Sequence, residues 1–147
     1  LRTLIVPCRQ STPPQYSDYQ AGHPPVSLLA YIAKTTPELT RLSVALDSSA
    51  LPDKETLKSL IDAAWDHHTD TAASKLQYLE ILEMRSAAFA AREYGELARL
   101  LDALFPRLVS ITMAEVPNRP KKWDEAWDLV EENRKMHQEL RLRRSKQ

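Results

Sequence analysis

The chain has 147 residues, the length of a single domain. Lys and Arg number 20 and so do Asp and Glu, giving a formal net charge of zero, whereas general nucleic-acid binders carry a basic excess. Only two glycines are present, although usage of about 7% would supply roughly ten. Because phosphate-binding loops, dinucleotide fingerprints and nucleophile elbows need glycines at fixed spacings, this composition excludes those enzyme classes.

The single cysteine, Cys8, excludes an internal disulfide and a thiolate metal cluster. It is typical of a protein from a reducing compartment. No stretch of apolar residues is long enough to predict a transmembrane helix. The sequence begins at Leu1 rather than Met, which is compatible either with a trimmed start or with removal of a targeting peptide. We therefore expect a location in the mitochondrial matrix, with the cytoplasm as the alternative.

Residues 1–25 are predicted to form an extended arm, because they contain five prolines, and proline favours extended backbone and removes an amide donor. Such an arm has no core of its own and gains order most easily on another protein. The arm residues predicted to bind a partner are Leu4, Ile5, Val6, Tyr16 and Tyr19.

Residues 26–147 are predicted to form one helical domain. Apolar residues recur at intervals of three and four along most of this segment, and no alternating pattern indicates a strand. The predicted helices cover roughly 26–36, 37–46, 53–67, 71–93, 96–108 and 121–143, with a kink at Pro106. The predicted fold is therefore all-α, built from stacked antiparallel helix pairs.

The clearest predicted helix begins after Asp53, whose side chain is expected to cap the first turn. Its apolar residues lie on one face of the helix. The expected core combines this face with residues of the later helices, namely Leu57, Leu60, Ile61, Trp65, Leu76, Leu79, Leu82, Leu97, Leu100, Leu101, Leu104 and Val130.

The central helix pair resembles a pentatricopeptide-type repeat. The residues of its first helix that carry the resemblance are Thr56, Leu57, Leu60, Ile61, Asp62 and Ala63, and those of the second are Ala73, Leu76 and Leu79. The resemblance implies a mainly organellar protein that reads single-stranded RNA, about one base per repeat. However, segment 53–102 holds six Lys or Arg against ten Asp or Glu, which repels phosphate and disfavours RNA reading.

Small proteins with few such repeats also serve as structural subunits of mitochondrial assemblies. In size and helix-pair organisation the chain is similar to the small F1-associated subunits of euglenozoan mitochondrial ATP synthase. This similarity implies protein docking on a larger complex.

His67, His68 and Asp70 form the cluster most like a metal site, but adjacent histidines point in different directions, so a polar turn is the preferred interpretation. No Glu precedes a His by three residues, as a di-iron bundle requires. We predict no catalytic residues, no bound metal and no cofactor.

Two further features leave alternatives open. Trp123 and Trp127 are predicted either as core residues or as partner-binding anchors, since tryptophan is enriched at binding hot spots. Segment 134–147 holds six Lys or Arg and one acid, Glu139. This segment either contacts RNA phosphates or an acidic membrane surface, or it is a solvated helix end or a tail that forms salt bridges with an acidic protein partner.

The function predicted from these features is that of a non-catalytic accessory subunit of a larger, mitochondrial complex. The F1 part of ATP synthase is the specific candidate. The alternative is an RNA-binding helical-repeat protein or a mitochondrial ribosomal protein.

Overall fold

The computed structural model describes residues 2–6, 25–46, 51–70, 73–82, 91–115 and 124–147. Strand and helix alternate four times along this part of the chain. The elements are β1 (Thr3–Val6), α1 (Leu28–Thr35), β2 (Arg41–Ala45), α2 (Lys54–Asp70), β3 (Tyr78–Leu82), α3 (Ala91–Leu104), β4 (Ser110–Met113) and α4 (Glu125–Ser145).

The prediction of an all-α fold is wrong. The four described strands form one parallel sheet in the order β1-β2-β3-β4, so the fold is α/β. A helix follows each strand, which is how parallel neighbours are connected.

The register of the sheet reveals an internal repeat. Leu4, Leu42, Leu79 and Ile111 lie opposite one another on the four strands. A leucine stands three positions before each of them in sequence, and Val, Ile or Met stands two positions after. The shared pattern is L-x-x-[LI]-x-[VIM], at offsets of 38, 37 and 32 residues.

The helices cover one face of the sheet. Parallel crossovers are right-handed, so a sheet whose strands follow chain order has its connecting helices on the same side. Leu42, Val44, Leu79 and Ile81 point to that side and are each at most 1% exposed. Together with α3, they form the centre of the hydrophobic core.

Two predicted helices are replaced by strands. Residues 37–46, which were expected to form a helix, contain β2. Residues 71–93, also expected to form a helix, contain β3, and part of this range lies outside the described residues. The leucines at 39 and 42, and at 76 and 79, are three apart, as on a helix face. Here the first of each pair lies before the strand and the second within it, and both are buried.

The predicted start of α2 is confirmed. The backbone N–H of Thr56 donates to Oδ1 of Asp53 over 2.8 Å, so the carboxylate satisfies one of the free amides of the first turn. This hydrogen bond is the main reason that the pKa of Asp53 lies below its ordinary value of 3.8.

Replacing Asp53 with alanine is expected to lower the free energy of unfolding at neutral pH, because the Thr56 amide loses its acceptor. A carboxyl group whose pKa is lowered by folding contributes stability above its unfolded pKa, and this contribution is lost as the pH falls through the folded pKa. Urea unfolding should therefore show a difference between wild type and D53A that shrinks below pH 3.8. Exposed Lys54, replaced by alanine, serves as control. A difference that stays constant into strong acid would contradict the prediction.

The last predicted helix pair, over 96–108 and 121–143, also needs correction. Helix α3 ends at Leu104, so Pro106 lies after it and does not kink it, and the chain continues into β4. The proline acts here as a helix stop, because its ring and missing N–H prevent continuation.

Helix α4 packs on α3, and a buried polar network joins it to the segment between α3 and β4. Arg134 is fully buried and pairs with Glu131, with Nε 2.7 Å from Oε2 and Nη2 3.0 Å from Oε1. Its Nη1 donates to the carbonyl of Leu108 over 3.0 Å and its Nη2 to that of Val109 over 3.4 Å. Arg134 thereby supplies donors to the backbone that leads into β4.

A second arginine ties the same helix to α3 and α2. Arg141 binds Asp102 through two hydrogen bonds of 3.2 and 3.0 Å, and its guanidinium lies 5.6 Å from the centre of the Trp65 ring. Asp102 is 3% exposed, so its charge requires this partner.

The predicted arm contains an element of the sheet. Residues 3–6 form β1, paired with β2, while residues 7–24 lie outside the described part. A deletion of the first residues would therefore remove a strand and leave the edge of β2 open.

The predicted core is largely confirmed. Most of its members are buried. The exceptions are half-buried, namely Leu60, Ile61, Trp65 and Leu82.

Candidate functional site

The candidate site is the face of the sheet opposite the helices, which we call the open face. In its first two rows the side chains alternate along the strands with the buried ones and are exposed or half-buried, whereas Ala45, in the next row opposite Leu82, is 3% exposed. We restrict the name to the first two rows, which consist of Thr3, Ile5, Arg41, Ser43, Tyr78, Glu80, Ser110 and Thr112.

The first row of the open face centres on an arginine stacked on an aromatic ring. Arg41 and Tyr78 are opposite one another on β2 and β3, and the guanidinium carbon lies 4.4 Å from the ring centre. Thr3 and Ser110 flank the pair on the outer strands. The stacking holds two long side chains in place while Arg41 stays exposed and Tyr78 is 38% exposed.

The second row holds a carboxylate–hydroxyl pair. The hydroxyl of Ser43 donates to Oε1 of Glu80 over 2.8 Å. Ile5 and Thr112 complete this row on the outer strands. Because this hydrogen bond already orders the Glu80 side chain, less conformational entropy is lost when Oε2 of Glu80 binds a partner.

The chemistry of the open face suits recognition of polar protein surface. Hydroxyl groups donate and accept, the guanidinium donates only and the carboxylate accepts only. Among the described residues, no group of three or more His, Cys, Asp or Glu side chains could hold a metal ion. The arrangement offers hydrogen bonds and a flat aromatic surface on rigid strands.

The predicted partner-binding residues are placed unevenly. Ile5 lies on the open face and is 66% exposed, whereas Leu4 lies on the helix side and is half-buried. Val6 belongs to β1, and its side chain lies outside what the structure describes, as do Tyr16, Tyr19 and Trp123. Trp127 is 1% exposed, so of its two predicted roles the core role is the one the structure shows.

The histidines do not gather into a site within the described residues. His67 is half-buried on α2, and the side chains of His68 and Asp70 lie outside the description. The pKa of His137 on α4 is lowered, first by burial and then by the positive charge of Arg99. Both effects favour its neutral form.

A cleft of about 630 Å³ lies between α1 and α2 and reaches the end of α3. Its wall is mainly alanine and leucine. A few polar side chains at its rim, among them Lys34 and Asp66, do not define a class of ligand.

The basic segment 134–147 is partly engaged inside the protein. Arg134 and Arg141 bind buried acids, Lys135 is 3.5 Å from Glu131, and Arg143 is 3.8 Å from Glu139. This pairing favours the interpretation as a helix end over a phosphate contact. No helix in the described ranges has the length and apolar character to cross a membrane.

Of the residues of the open face, sequence reasoning singled out only Ile5. Arg41, Ser43, Tyr78 and Glu80 were assigned to helices. Aligning the L-x-x-[LI]-x-[VIM] units would have placed these four residues at the variable positions on either side of the second apolar residue of each unit. There they alternate with buried residues, as in a strand.

Comparisons of the chain with protein-family models, with curated proteins and with solved structures found no match. The pentatricopeptide resemblance and the similarity to ATP synthase subunits therefore stay predictions, and the helix pair that the first requires is not formed. Of the residues that carried the first, Thr56–Ala63 lie in α2, but Leu79 lies in β3 rather than in a second helix.

Proposed function

We propose that this protein is a non-catalytic docking module that binds a segment of a partner protein on the open face of its sheet. In this role it acts as an accessory subunit of a larger complex. The observation that carries the proposal is a parallel sheet with one buried face and one face that displays a stacked Arg41–Tyr78 pair.

Parallel sheets normally have both faces covered. In the described part of the chain the helices lie on one face, and the side chains of the open face are exposed or half-buried, which makes them accessible to a partner. Strand-plus-helix units with this leucine spacing are similar to leucine-rich repeats, although those usually span about 20–29 residues. Stacked repeats of this kind present extended binding surfaces.

The dimensions favour a short partner segment. Four strands about 4.8 Å apart, with about four residues each rising roughly 3.3 Å, span about 14 by 13 Å. A standard interface covers about 800 Å² per partner. The open face is much smaller, so it suits a partner segment of a few residues rather than a whole domain. Tyr and Arg are among the residue types enriched at binding hot spots.

The partner is best identified by photo-crosslinking in cells. A photoreactive phenylalanine at position 78 should capture a partner that mass spectrometry identifies. The same group at Tyr31, which is 66% exposed on α1, is the matched control. Capture of F1 subunits would support the predicted ATP synthase complex, and capture of ribosomal proteins would support the alternative.

Once the partner is identified, Y78A and R41A are each expected to weaken its binding about tenfold or more, as truncations of hot-spot residues do. Y31A should leave affinity unchanged, and all three variants should stay folded by circular dichroism because the side chains are exposed. Equal affinities for Y78A, R41A and wild type would contradict the proposal.

A further inference from the structure

The outward side of α4 carries an exposed apolar row. Leu129, Met136 and Leu140 are seven and four residues apart, so they lie on one side of a helix with 3.6 residues per turn. They are 41, 58 and 51% exposed. The opposite side of α4, with Trp127 and Val130, is buried against the core.

Charges around this row are divided between the two halves of the helix. The exposed acids Glu125, Asp128 and Glu132 lie in the first half, and the exposed bases Arg143, Arg144 and Lys146 lie at the end. Between them, Lys135 is near Glu131, and Glu139 is near Arg143. The helix is therefore acidic at its start and basic at its end.

We propose that α4 is a dimerisation helix that packs antiparallel against α4 of a second copy of this chain. A twofold axis brings the acidic half of each helix against the basic half of the other. The register that sets Leu129 beside Leu140 of the second copy also sets Glu125 opposite Arg144. A parallel arrangement would place like charges together.

A second copy fits this surface because the surface is complementary to itself, as an isologous twofold contact requires. Antiparallel helix dipoles add to the preference. The contact involves one helix from each copy and lies apart from the open face, so its failure and that of the proposed docking function are distinguishable. One helix pair is smaller than a standard interface of about 1,600 Å², so the dimer should be weak and dependent on concentration.

The test uses two charge-reversed forms of the full chain, E125K/D128K and R143E/R144E, in sedimentation velocity runs up to millimolar concentration. Wild type should dimerise, and each variant alone should be monomeric because the exposed charges of both halves of its helix now have the same net sign. A mixture of the two variants should form a heterodimer. K54E/K58E, on the exposed side of α2, changes the charge as much as the second variant and should dimerise like wild type.

Circular dichroism checks that the helix persists, since these reversals oppose its dipole. M136Q, which removes part of the apolar row without changing charge, should weaken the dimer by about tenfold, as loss of a buried apolar side chain does. Wild type that stays monomeric throughout, reversed variants that still dimerise alone, or a mixture that does not associate would each overturn the proposal.

Discussion

Replacing Arg134 with methionine is expected to lower the free energy of unfolding by about 3–5 kcal/mol. Arg134 is fully buried and holds Glu131 through two hydrogen bonds. Without it, Glu131 keeps Lys135 at 3.5 Å as a partner, but this lysine is more than half exposed and compensates weakly. The carbonyls of Leu108 and Val109 also lose donors, although Gln138 still donates to the first of them.

Urea unfolding of R134M, E131L and the double variant measures the coupling between the two side chains. The double variant should recover much of the loss, because removing both charges leaves none unpaired in the interior. R143M is the control: its partner Glu139 is 3.8 Å away and both side chains are exposed, so a loss of about 0.5 kcal/mol or less is expected. Equal losses for R134M and R143M would show that the buried network does not hold α4.

The helices with a single apolar stripe were predictable from sequence. For α2, the stripe, the capping Asp53 and its position in the chain were all identified, and α1, α3 and α4 were found with shifted ends. In these segments the local pattern and the tertiary structure agree, because each helix buries one face against the sheet and its neighbours. Local periodicity is sufficient evidence in such cases.

The strands were not predictable from local pattern alone. Each strand has four or five residues, and the buried leucine before it extends the apolar run into a spacing of three. A window over Leu76, Leu79 and Leu82 therefore matches a helix as well as a strand. What decides between them is the recurrence of the same unit along the chain, and the unequal offsets of 38, 37 and 32 residues between successive units hide that recurrence.

Most of the candidate site could not be predicted without the correct fold. Ile5 was expected to face a partner and does lie on the open face, but Arg41 and Tyr78 come together only through the register of β2 with β3. They are 37 residues apart in sequence, a separation that no local motif connects. A site that exists only across strands becomes visible once the sheet is known.

An alanine scan of residues 78–81 is expected to show losses of stability that alternate with a period of two. In β3 the side chains of Leu79 and Ile81 point into the core and are at most 1% exposed, whereas Tyr78 and Glu80 belong to the open face. L79A and I81A should each cost about 2–5 kcal/mol, because they leave cavities in a central strand. Y78A and E80A should cost well under 1 kcal/mol, since exposed substitutions usually change stability by about 0.5 kcal/mol or less. Urea unfolding of the four variants measures the pattern, with L142A on the exposed side of α4 as a leucine control. A helix over this segment would instead group the large losses at spacings of three and four, so such a result would contradict the sheet.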